Sequence, residues 1–158
     1  MIIIDGHNLL HSIVKISDDS SSFGDLQLCW IISRYLKVIG DKGEIIFDGT
    51  GPRDKSQYDN ITNLEVIFAG LGRDADTVIE DKIRASTAPK RLSIISSDRR
   101  IRDTARTRKA NAIKSEVFWE NLQKQLRQKK PVKEPEAKRS GLSESETKQW
   151  LEFFGIEQ

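Results

Sequence analysis

Thiols, imidazoles and aromatic rings are scarce in this chain of 158 residues, which has one cysteine, two histidines and 7% aromatics. Cys29 cannot close an internal disulfide or build a cysteine-rich zinc site, which suits a reducing compartment and makes a cytoplasmic location the expectation. Since only His7 and His11 could add nitrogen ligands, any bound metal has to be held by carboxylates. Four prolines and ten glycines are too few for a collagen-like chain. Long apolar runs are missing too. The chain opens Met-Ile-Ile-Ile-Asp, with a charge at position 5 and no basic leader, so neither a signal peptide nor a membrane span is expected.

Charge is abundant, at 32% of residues, and unevenly placed. The formal total is +2, yet residues 1–88 carry 9 basic and 14 acidic side chains, whereas residues 89–139 carry 16 and 6. An acidic front and a basic back point toward nucleic acid or another anionic surface. The length is that of one domain.

Residues 1–4 form a short apolar run closed by Asp5, the pattern of a strand buried on both faces. Residues 44–47, 64–69 and 92–96 repeat it, and 111–113 reads as a short fifth strand. Helices are predicted over 25–39, with Gly40 as a stop signal, and over 74–85, 98–108 and 115–130. The last of these has Val117, Phe118, Leu122 and Leu126 inward. Trp30, Tyr35, Phe47 and Phe118 fall at core-like positions. Residues 17–24 and 54–63 read as polar loops, and Tyr58 in the second is the aromatic available to a base. The alternation calls for a mainly parallel sheet with helices on both faces. The folded domain is expected over 1–128, a charged flexible linker over 129–142, and a short amphipathic helix over 143–155. A Ser143/Glu146 capping box opens that helix, which carries Trp150, Leu151, Phe153 and Phe154. It either packs back on the domain or docks on a partner.

In parallel sheets, ligands collect beyond the carboxyl ends of the strands, where the strand order reverses. Asp5, Asp48 and Asp98 stand at or just past three strand ends. Asp76 lies in the first turn of the helix over 74–85. Its angular position brings it nearer than Asp74 or Asp81 to the face defined by Ala75, Val78, Ile79 and Ile83, and Glu80 shares its stripe. Each acid also has a plain structural reading: Asp74 and Asp98 as helix caps, Asp48 as a turn residue ahead of Gly49. Jointly they point to Mg²⁺ or Mn²⁺, because crowded carboxylates repel one another unless a hard cation sits between them. Arg99, Arg100, Arg102 and Arg106 follow Asp98 on a helix, either as a solvated face or as a strip that holds phosphates.

Four stretches, Ile2-Ile3-Ile4-Asp5-Gly6-His7-Asn8-Leu9-Leu10, Ile45-Ile46-Phe47-Asp48-Gly49, Ala75-Asp76-Thr77-Val78-Ile79-Glu80 and Ser96-Ser97-Asp98, together resemble the NYN domains of the PIN-like nuclease superfamily, and within it the YacP-type ribonucleases. The resemblance implies a three-layer α/β/α sandwich with strands one and four adjacent. It also implies hydrolysis of RNA with a carboxylate-bound divalent metal; single-stranded RNA is the expected substrate and internal cutting the expected mode, though nothing in the residues separates it from cutting at an end. Asp5, Asp76 and Asp98 would share a pocket as catalytic metal ligands, with Glu80 as an outer ligand. Asn8 would support substrate or metal-bound water, Ser97 would fix the Asp98 carboxylate through its hydroxyl, and Asp48 would help position the site. His7 falls at a variable position and takes no catalytic role. The competing class is a non-catalytic RNA-binding module of the same fold, an RNA-processing or ribosome-associated adaptor that meets a protein or the ribosome through its C-terminal helix. The full set of acids argues against it. A haloacid-dehalogenase-type phosphatase, suggested by Phe47-Asp48-Gly49-Thr50, fails because Ile46 stands where a second acid is needed.

Overall fold

The computed structural model describes residues 1–17 and 24–128. Their elements run β1 (Ile2–Asp5), α1 (Gly6–Ser17), α2 (Asp25–Ile39), β2 (Gly43–Phe47), α3 (Ser56–Asp59), β3 (Leu64–Phe68), α4 (Ala75–Ala85), a single 3₁₀ turn (Pro89–Arg91), β4 (Ser93–Ile95), α5 (Arg99–Thr107), β5 (Asn111–Ile113) and α6 (Ser115–Gln128). All five strands are parallel, in the order β3-β2-β1-β4-β5. Growth of the sheet reverses between β1 and β4, so the topological switch point lies there. The expected linker over 129–142 and helix over 143–155 lie outside the described residues. Among those described, no helix is long and apolar enough to cross a membrane.

Two apolar clusters make this a three-layer α/β/α sandwich. Ile2, Ile4, Ile45, Phe47 and Ile95 pack against α1, α2 and α6, whereas Ile3, Ile46 and Ile94 pack against α4 and α5. Because successive strand side chains alternate faces, Asp5 follows Ile3 toward the α4 and α5 layer. α2 stops at Gly40, whose left-handed φ of 69° lets the Asp41 N–H reach back to the Leu36 carbonyl at 3.0 Å.

Three sequence expectations need correction. Helix α1 is not among the predicted helices, and it opens on glycine, a poor helix former. Leu9, Ser12 and Ile13 nonetheless bury at helical spacing, and the helix starts directly off β1. In α6 the inward residue is Trp119, 2% exposed, while Val117 is 55% exposed. The loop over 54–63 holds the short helix α3, and Tyr58 on it is half-buried, edge-on to Phe68 with ring centroids 5.3 Å apart. That contact makes Tyr58 a packing residue.

Candidate active site

Asp5 ends the central strand and is 4% exposed. The Ser96 hydroxyl donates to Asp5 Oδ2 at 3.1 Å and accepts from the Asp98 N–H at 3.0 Å, tying the ends of β1 and β4 together across the switch point. The backbone N–H of Asn8 also donates to the Asp5 carboxylate. Burial and then the neighbouring Asp76 charge push the Asp5 carboxyl up to about 6 despite those two hydrogen bonds, and Asp48 adds a smaller push. Asp76, half-buried in the first turn of α4, is raised as well. Burial contributes most, then Asp98 and Asp74, with Arg100 pulling the other way ahead of a small push from Asp48.

The remaining acids are fixed by backbone N–H groups. Asp98 caps α5, its Oδ1 accepting from the Arg100 and Ile101 N–H groups at 2.8 and 3.3 Å. Asp48 Oδ1 accepts from the Ala75 N–H at 2.7 Å, so the end of β2 holds the start of α4, the helix that carries Asp76. Asp74 caps α4 through the Thr77 N–H at 2.8 Å. His7 packs on Phe47 and accepts the Asp48 N–H on Nδ1 at 3.4 Å, a structural use of the ring.

Ser97 does not fix Asp98. Its hydroxyl donates to Glu116 Oε2 at 2.9 Å and accepts from the Ser115 N–H at 3.0 Å. Strand alternation continued past β4 explains this, since Ser96 shares the face of Ile94 and Asp5 whereas Ser97 turns toward α1 and α6. Asn8 belongs to the same network, its Oδ1 accepting from the Ser97 N–H at 2.9 Å and the Ser115 hydroxyl at 2.7 Å. Ser12 closes the network, donating to Glu116 Oε1 at 3.3 Å. Asn8 therefore pins α1, the end of β4 and the start of α6 to one another. Asn8→Ala is expected to cost about 1–3 kcal/mol in chemical denaturation, because it strands the Ser97 N–H, while Asn8→Asp keeps the acceptor and loses less. Equal stability of all three proteins would show that the pin carries no weight.

Glu80 is 4% exposed and its oxygens are committed, to Arg100 at 2.5 Å, to the Thr104 hydroxyl at 2.9 Å and to Arg84 at 3.6 Å. These contacts pull its carboxyl below the usual range although burial opposes them. It thus anchors Arg100 beside Asp76. Arg99 and Arg106 are exposed on the same helix, and Arg102 is half-buried with Nη1 unbonded. The structure brings Asp5, Asp48, Asp76, Asp98 and Arg100 to one end of the sheet. Ser96, Ser115 and Glu116 also help to build the site; Ser96 stands in the Ser96-Ser97-Asp98 stretch, where the role falls to it and not to Ser97, and no sequence motif marks Ser115 or Glu116.

No three His, Cys, Asp or Glu side chains among the described residues converge into a ready-made chelate. The donor set still fits a hydrated cation. Mg²⁺ commonly keeps several waters and takes one or two carboxylates, the substrate supplying further oxygens, and the repulsion that Asp76 exerts on Asp5 and Asp98 on Asp76 is the charge such an ion relieves.

No curated protein sequence matches the chain. Among solved structures it resembles Rae1 (YacP) from Bacillus subtilis, with a TM-score of 0.66 at 17% identity over 81% of this chain and 76% of that one. A tryptophan-to-leucine mutant of the same protein gives a TM-score of 0.62 at 18% identity over 80% and 77%. These likenesses concern the fold. The profile of the YacP-like NYN domain matches residues 2–154, nearly the whole length, and the chain belongs to that family.

Proposed function

We propose that this protein is a metal-dependent endoribonuclease acting on single-stranded RNA in the cytoplasm. Membership of the YacP-like NYN family supports a nuclease that acts on RNA. The observation that carries the metal dependence is the charge of the switch point, where Asp5 is buried against the fields of Asp76 and Asp48. A pure binding module gains nothing from carboxylates turned toward phosphate. Asp5, Asp76 and Asp98 are the residues that would hold Mg²⁺ or Mn²⁺, one or two of them directly and the rest through waters the ion keeps. When bound, the cation supplies a water of lowered pKa and offsets charge on the leaving oxygen.

The chain's own contributions are positional. Ser96 holds the Asp5 carboxylate and the Asp98 backbone at the junction of β1 and β4. Asp48 fixes the first turn of α4 and with it Asp76. Glu80 orients Arg100 toward a phosphate next to the scissile bond, and Arg99, Arg102 and Arg106 meet neighbouring phosphates without reading bases. Cys29 is buried and its thiol is pushed up by that burial, so it offers no nucleophile.

The test is Asp76→Asn. Cleavage of an unstructured RNA in Mg²⁺ or Mn²⁺ is expected to fall at least tenfold, with the melting temperature no lower than the parent's and RNA affinity retained. Full activity in the folded variant would overturn the site. An unaltered parent that binds RNA and never cuts it would establish the binding module instead.

A further inference from the structure

On the face of the sheet opposite Asp5 and Asp76, a groove of about 580 Å³ runs along β4 and β5 between α2 and α6. Ile39, Ile113, Val117 and Phe118 give it an apolar lining, and Asp41 and Lys124 stand at its rim. Asp41 is occupied by the N-terminal ammonium at 3.0 Å and Lys124 by Glu120 at 3.6 Å, so neither calls for a charged ligand. Val117, 55% exposed, breaks the otherwise inward apolar pattern of α6 and continues the groove's apolar lining of Ile39, Ile113 and Phe118 onto the surface, and contiguous apolar surface of this kind marks a place where something packs.

We propose that this groove seats the chain's own residues 150–154. Trp150, Leu151, Phe153 and Phe154 place four large apolar side chains within five residues, a density that water does not favour. The family match runs to residue 154, so this segment belongs to the same unit of sequence as the sheet and helices. The chain leaves the described fold from the groove's own wall, since α6 ends at Gln128, four residues beyond Lys124. The 21 intervening residues span up to about 70 Å when extended, ample to return to a groove beside their point of departure. Closing a loop of this length costs only modestly more than closing a short one.

Disulfide trapping in the full-length chain tests this. Val117→Cys with Phe153→Cys is expected to form an intramolecular bond under mild oxidation, seen as a faster-migrating monomer on a non-reducing gel and as the linked peptide by mass spectrometry. A control pair, Leu71→Cys with Phe153→Cys, should react at least tenfold more slowly although Leu71 is 90% exposed, because it follows β3, at the edge of the sheet opposite β5 and the groove. Cross-linked dimers would assign the groove to a second copy, and equal rates for the two pairs would show that the segment does not settle there; either overturns the proposal. Hydrogen exchange gives a second reading without new thiols. In the full chain, Trp150→Asp with Phe153→Asp should speed exchange in β5 and the first half of α6 and leave α4 unchanged, and unaltered rates would count against the seat.

Discussion

Asp5→Asn is expected to abolish cleavage, by a factor of 100 or more, while melting at a higher temperature than the parent at pH 8 in the absence of divalent cations. The two halves of this expectation have one cause. Asp5 is almost fully buried, its carboxyl is raised from 3.8 to about 6, and the contributions are burial first and the Asp76 charge second. A carboxyl raised in the fold binds its proton more tightly there than in the unfolded chain. Below about pH 4 both states hold the proton and the site costs nothing. As pH climbs through the window from about 4 to 6, the unfolded chain releases the proton first and stability falls. Above about pH 6 the full penalty, on the order of 3 kcal/mol, is in place. Asparagine carries no charge at any pH and keeps an oxygen for the Ser96 hydroxyl, so its advantage should be absent near pH 4 and grow as pH rises. Thermal melts of both proteins at pH 4.5 and pH 8 measure it. Mg²⁺ or Mn²⁺ at pH 8 should then raise the melting temperature of the parent more than that of the variant. A variant less stable than the parent at both pH values would mean that Asp5 is held by its hydrogen bonds and not opposed by its neighbours.

Much of this arrangement is legible in the sequence because it depends on residues close together in the chain. Short β-branched runs that stop at an acid locate Asp5 and Asp48 at strand ends, and the spacing of Ala75, Ile79 and Ile83 puts Asp76 on the inner flank of its helix. Contacts between distant elements leave no such local pattern. Asp48 reads as a turn residue because its partner, the Ala75 N–H, lies 27 positions on and meets it only when β2 and α4 pack together. Ser96 and Ser97 are chemically identical neighbours, and only the register of β4 decides which one faces Asp5. Glu80 shares a helical stripe with Asp76, yet the next helix supplies Arg100 and Thr104 and turns Glu80 from a ligand position into an anchor. Helix α1 is hidden for a related reason, since it opens on Gly6, a poor helix former that tight packing against β2 requires.

That glycine is the basis of the second large effect. A Cβ on Gly6 would sit 2.5 Å from Cδ1 of Phe47, closer than atoms of a relaxed structure approach, and 3.0 Å from the Ile46 carbonyl oxygen, at the tight end of real contacts. Neither neighbour can yield cheaply. Phe47 is fully buried with its ring stacked on Phe68 at 5.7 Å, and the Ile46 carbonyl belongs to the strand that pairs with β1. Gly6→Ala must therefore lift the start of α1 away from β2, at a cost of about 1–3 kcal/mol or more, the range for forcing extra volume into a packed interior. The displacement should reach the site, because Asp5 precedes Gly6 directly and Asn8, which bonds Asp5, Ser97 and Ser115, follows within one turn. Cleavage is accordingly expected to fall by more than the loss of folded protein accounts for. Phe47→Leu removes the ring that blocks the new methyl, so the double variant should recover part of the activity and lose less stability than the sum of the single changes. Urea denaturation and cleavage rates on the parent, both single variants and the double variant measure the coupling. Strict additivity would mean that the glycine is required for its backbone alone, whereas a favourable coupling of about 1 kcal/mol or more would trace the geometry of the acids to the contact between α1 and the ring beneath it.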